Sequence, residues 1–138
     1  MENEPLRVVV DTNVLISSLI FGGKPRQIIT LIQNHKIVAV TSPLLIAELV
    51  DILVKKFYFI PAKVELTLEL IKENFTIVYP TEVVDAVRRD QDDNKVLEAA
   101  IEGHCSHLVT GDSHLLDLAL FRNIVILKPD DFLSKKQD

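Results

Sequence analysis

The stretch that most constrains this chain is its first apolar run, Leu6, Val8, Val9 and Val10, which stops at Asp11 and gives way to Thr12 and Asn13. The run is too short for a helix, largely β-branched and apolar on both faces, so it predicts a central strand of a parallel sheet covered on both sides. Asp11 then stands at the carboxyl end of that strand. Ligands of open α/β sheets bind along that edge, which makes Asp11 a candidate for chemistry by position alone. Its alternative role is to cap the helix that the apolar pattern predicts from Val14.

The rest of the chain repeats the same alternation. Helices are predicted from Val14 to Phe21, from Pro25 to Asn34, from Pro43 to Lys56 with Ser42 as cap, from Pro61 to Asn74, and from Asp90 to Gly103. Strands are predicted at Ile37 to Val40, Thr76 to Tyr79, Leu108 to Val109 and Ile124 to Leu127, with a helical piece at Leu115 to Leu118 and a last turn from Pro129 to Leu133. Strands alternating with helices imply right-handed crossovers, and so an α/β fold with helices on both faces of a parallel sheet. Every strand end then points to one edge. No internal repeat, low-complexity segment or linker interrupts the pattern, and 138 residues are expected to form one domain.

Composition excludes some functions. Fifteen Lys and Arg against 20 Asp and Glu give a net charge of -5, contrary to the basic balance of a plain nucleic-acid binder. A site that concentrates carboxylates around a divalent cation is compatible with that charge, because the ion reverses the local sign. The polar start, Met-Glu-Asn-Glu-Pro, is unlike a signal peptide, no apolar stretch is long enough to span a membrane, and a single cysteine, Cys105, leaves no internal disulfide. A cytoplasmic location is expected.

Three further acids stand where ordinary surface charges would not. Glu48 lies at the margin of an apolar helix face, with Leu44, Leu45 and Ile52 around it and no base at helical spacing; Asp51, by contrast, has Lys55 four residues on. Asp93 is in the first turn of its helix on the side that carries Val96, Leu97 and Ala100, whereas Asp90 and Asp92 fit a cap and the helix dipole. Asp112 follows the fourth strand in Val-Thr-Gly-Asp-Ser-His. Each has a structural alternative, as a boundary, helix-start or turn residue. Together they converge on the strand-end edge, where unit charges 4 Å apart repel by about 4 kcal/mol at an effective dielectric near 20. All-oxygen donors select Mg²⁺ or Mn²⁺, and the usual chemistry of such a site is phosphodiester hydrolysis.

Around these residues the chain resembles the PIN domain family, specifically the bacterial and archaeal toxins similar to VapC. The resemblance covers nearly the whole chain, through VVVDTNVLISSL, TSPLLIAELVDIL, RDQDDNKVLEAA, HLVTGDSHLL and ILKPDDFL. It implies a three-layer α/β/α fold with about five parallel strands in the order 3-2-1-4-5, which sets strands one and four side by side. It implies a metal-dependent endoribonuclease using Mg²⁺ or Mn²⁺, with Asp11, Glu48, Asp93 and Asp112 as metal-binding and catalytic acids and Asn13, Thr110 and Ser113 as supporting groups. RNA as substrate, a protein antitoxin as partner and a homodimer or larger assembly go with it. His114 stands where many relatives carry a further Asp, and either Asp92 or Asp93 could face the metal, the helix face favouring Asp93.

Other features have competing readings. Arg88-Arg89 could hold phosphates or be a solvated loop, and Lys55-Lys56-Phe57-Tyr58-Phe59 could stack bases, close a helix end or meet a partner. His104, Cys105 and His107 fit no usual zinc spacing. A haloacid-dehalogenase-type phosphatase needs an acid two residues after Asp11, where this chain has Asn13, and a receiver domain's acid pair and lysine have no clear match. The non-enzyme alternative is a PIN-like module that binds RNA or an antitoxin with little hydrolytic activity.

Overall fold

The computed structural model describes residues 4–87 and 91–137, the side chains of residues 91, 92, 136 and 137 excepted. In order, the elements are β1 (Leu6–Val10), α1 (Thr12–Ile20), α2 (Lys24–Gln33), β2 (Ile37–Thr41), α3 (Pro43–Phe57), α4 (Pro61–Asn74), β3 (Phe75–Ile77), α5 (Gln91–Glu102), β4 (His107–Val109), α6 (Ser113–Leu118), β5 (Leu120–Phe121), β6 (Ile124–Leu127) and α7 (Pro129–Gln137). The expected helix start at Asp90, and Arg88-Arg89, lie outside the described residues.

One sheet runs β3-β2-β1-β4-β6-β5, parallel throughout except for the antiparallel pair β5 and β6. β1 is central, with Val9 in register with Val40 of β2 and Leu108 of β4. Its apolar run divides by the two-residue side-chain period of a strand. Val8 and Val10 pack with Ile28, Ile32, Leu49, Leu53 and Phe132, whereas Val9 packs on the other face with Val40, Leu97, Leu108 and Leu115. Two cores on opposite faces make the three-layer arrangement, and among the described residues no helix is long and apolar enough to cross a membrane.

The expected strand order holds once the short β5 is added. Two residues carry no period to read, and β5 exists because Arg122 and Asn123 both adopt positive φ (47° and 67°), as a two-residue hairpin matching the sheet's twist requires. At the end of α5 the left-handed position falls on His104 (φ 52°), one residue later than the glycine suggests. Gly103 answers a different demand: a Cβ there would lie 2.6 Å from Val40 Cγ1. The Ser42 cap is as expected, its hydroxyl accepting from the Leu45 amide at 3.3 Å ahead of Pro43 at the first helical position.

Candidate metal centre

Register builds the site. Val10 of β1 pairs with Val109 of β4, so the next residues, Asp11 and Thr110, leave the sheet side by side at its carboxyl edge. The Asp11 amide still donates to the Val109 carbonyl at 2.9 Å, which carries the ladder one residue past the strand. Asp11 is at the N-cap position of α1, yet its side chain closes no cap hydrogen bond. Its Oδ2 instead accepts the Thr110 hydroxyl at 2.6 Å. Capping therefore does not account for this acid, and α1 begins at Thr12, two residues before the apolar pattern suggests.

Thr110, fully buried, joins two carboxylates. Its Oγ1 donates to Asp11 and accepts the backbone amide of Asp112 at 3.0 Å. Burial pushes the Asp11 carboxyl above its ordinary value. The Thr110 hydrogen bond and the amide dipoles of Thr12 and Asn13 oppose the rise, the amides without a well-formed hydrogen bond, and the charge of Asp112 adds to it.

Asp112 both caps and contributes to the cluster. Its Oδ1 accepts from the amides of His114 at 2.8 Å and Leu115 at 3.2 Å, which starts α6. Asp93, only 7% exposed in the first turn of α5, points to the same place. His114 Nδ1 lies 3.9 Å from Asp93 Oδ2 and 3.8 Å from Asp112 Oδ1. Among the described residues, Asp93, Asp112 and His114 form the one set whose donor atoms all fall within 4.8 Å of one another. Oxygen and imidazole donors at that spacing fit a divalent cation.

Asp11 adjoins this set through Thr110 and the field of Asp112, and Glu48 is not among the three. Glu48 is half-buried beside the inward stripe of Leu45, Leu49 and Leu53, on the helix that packs against both α1 and α5. Asn13 and Ser113 are exposed and line, with Ser17, Gly111 and Asp112, a cleft of about 510 Å³. The side chain of Asp92 lies outside the described residues.

Two buried polar residues of α5 brace the preceding loop beside Asp93. Asn94, 1% exposed, accepts the Ala86 and Val87 amides on Oδ1 and donates Nδ2 to the Val87 carbonyl, and Glu98 accepts the Val84 amide. The loop is thereby fastened to α5 beside the acid. The signal was present as two polar residues on the buried side of a helix, which demand partners. Of the other motifs, Cys105 is buried, the His107 ring packs on Phe132, and Phe57 meets Phe21 edge-on while Tyr58 stays exposed. Lys55 pairs with Asp51 at 2.9 Å, as the spacing predicts.

Residues 7–114 match the PIN domain family, a span that runs from β1 through His114 and contains all four acids. The chain is 34% identical over 123 residues to an uncharacterized protein of Methanocaldococcus jannaschii, MJ1680, covering 86% of this chain and 78% of that one. The crystal structure of PAE2754 from Pyrobaculum aerophilum has a similar fold, with a TM-score of 0.57 at 15% identity over 97% of this chain and 96% of the other.

Proposed function

The chain belongs to the PIN domain family, and from that premise we propose that it is a metal-dependent endoribonuclease, the toxin of a VapC-like toxin-antitoxin pair acting in the cytoplasm. Asp11, Glu48, Asp93 and Asp112 are its acids, Mg²⁺ or Mn²⁺ its cofactor, and Asn13, Thr110 and Ser113 its supporting groups. The observation that carries this reading is the meeting of Asp93, Asp112 and His114 within 4.8 Å at the strand edge where Asp11 ends β1.

A divalent ion held there would polarise the scissile phosphate and supply activated water for in-line attack. The protein's own residues prepare that place. Thr110 fixes the rotamer of Asp11, and the α6 amides fix Asp112. Burial of Asp11 and Asp93 excludes the water that would otherwise screen them. Asn13 and Ser113 offer neutral hydrogen-bonding groups along the cleft, where further negative charge would repel a phosphodiester. With a net charge of -5, attraction for RNA has to come from the bound ion and local groups rather than from the whole surface. For the partners, the support is an apolar surface on α3, α4 and their connection: Leu44, Val54, Tyr58, Ile60 and Leu66 are all exposed, as a homodimer contact or an antitoxin helix would use.

The test is cleavage of RNA by the purified protein. Cleavage is expected with Mn²⁺ or Mg²⁺, to stop with EDTA, and to be lost in Asp11→Asn although the variant remains folded. Cleavage that persists in Asp11→Asn and in EDTA refutes the assignment.

A further inference from the structure

We propose that His114 is a nitrogen ligand of the divalent ion, making the centre a mixed oxygen and nitrogen site that takes Mn²⁺ in preference to Mg²⁺. The inference rests on the metal-dependent reading above and deepens it, since an all-acid centre predicts no such preference. Cap geometry places the ring. The His114 amide is tied to Asp112 Oδ1 at 2.8 Å, so the first turn of α6 is set by the same carboxylate that the imidazole faces. Nδ1 then stands 3.8 Å from that oxygen and 3.9 Å from Asp93 Oδ2.

Those separations are too long for hydrogen bonds. Two donors each about 2.1 Å from one ion can be at most about 4.2 Å apart, so both fall within the span that a shared ion bridges. The ring is also half-exposed, so packing does not explain why it turns toward two carboxylates. Its donor chemistry has a consequence. Mg²⁺ is held by oxygen and keeps much of its water, whereas imidazole binds transition ions readily and carboxylates suit Mn²⁺. An imidazole added to the acids therefore moves selectivity from Mg²⁺ toward Mn²⁺.

The experiment measures metal alone, without RNA. Mn²⁺ is titrated into the metal-free protein by calorimetry and displaced with Mg²⁺, and the Mn²⁺-loaded protein is probed by electron spin-echo modulation, which registers a directly bound imidazole nitrogen. The wild type is expected to show that nitrogen and His114→Ala to lose it, with Mn²⁺ affinity falling at least about tenfold, the lower end of what losing even an outer-shell partner costs a metal site. His114→Asp should restore Mn²⁺ binding while letting Mg²⁺ compete better. Mn²⁺ binding with no nitrogen signal and an unchanged dissociation constant in His114→Ala overturns the proposal and leaves the nuclease reading standing. A wild type that binds no Mn²⁺ overturns both.

Discussion

Asp11→Asn should stabilise the metal-free protein while destroying its metal site. Asp11 is 6% exposed, and burial with the charge of Asp112 raises its carboxyl above the ordinary 3.8. The unfolded chain releases its proton near 3.8, the folded one only at higher pH, so between the two values the native state binds more protons than the unfolded state. Stability therefore falls as pH rises through that window, and the full penalty applies above it in the absence of metal. Each unit of elevation amounts to about 1.4 kcal/mol. Asparagine removes the charge and keeps the fold's contacts: its carbonyl can still accept the Thr110 hydroxyl, and its amide can face the carboxylate of Asp112. A gain in stability follows, and at about 2.1 cal/mol/K of unfolding entropy per residue each 1 kcal/mol of it raises the Tm of 138 residues by roughly 3 °C. The assay is thermal unfolding in EDTA at several pH values, repeated with Mn²⁺. The variant's advantage should grow as pH rises from 4, where the wild-type carboxyl holds its proton, and reverse when millimolar Mn²⁺ stabilises only the wild type. A variant less stable than the wild type in EDTA at neutral pH, or an advantage unaffected by pH, would show that burial of Asp11 carries no electrostatic cost.

Asp112→Asn keeps an acceptor for the α6 amides and Asp112→Ala does not, so the alanine variant should be about 1 kcal/mol less stable in urea than the asparagine one, with both failing to bind Mn²⁺; equal stability would deny the cap. Gly103→Ala drives a Cβ to 2.6 Å from Val40 Cγ1, itself buried on β2, and should cost about 1–3 kcal/mol as overpacking with Mn²⁺ affinity unchanged, both readable from a urea melt and a calorimetric titration. Burial pushes the Cys105 thiol up to about 12, against the opposing charge of Arg7. Its reaction with a disulfide reagent at pH 8 should accordingly be at least about 30-fold slower in the native protein than in the urea-unfolded chain, and comparable rates would place the thiol at the surface.

What could be read in advance, and what could not, follows from the range of the interactions involved. The first strand and the place of Asp11 were legible because a short run apolar on both faces suits a central strand, whose end falls on the carboxyl edge of the sheet. Asp93 was legible from helix periodicity, since its buried side is shared with Val96, Leu97 and Ala100. Asp112 reads as either a turn residue or a candidate ligand because its one oxygen caps a helix and also faces an imidazole. By contrast, the brace from Asn94 and Glu98 depends on where the preceding loop returns, and β5 depends on two residues accepting positive φ. Neither demand leaves a period in the letters.

His114 shows the limit most clearly. In sequence it is one polar residue after a serine, in a position where the family resemblance suggests an acid, and nothing local distinguishes a ligand from a surface histidine. Three separate facts orient it: β4 neighbours β1, α6 starts on the Asp112 cap, and α5 delivers Asp93 from the other side. Thr110 depends on the same adjacency, because its hydroxyl can bridge Asp11 and Asp112 only if β1 and β4 pair in the register that sets Val10 against Val109. The proposed metal chemistry therefore depends on the sheet order, with each acid contributing little until topology makes the others its neighbours.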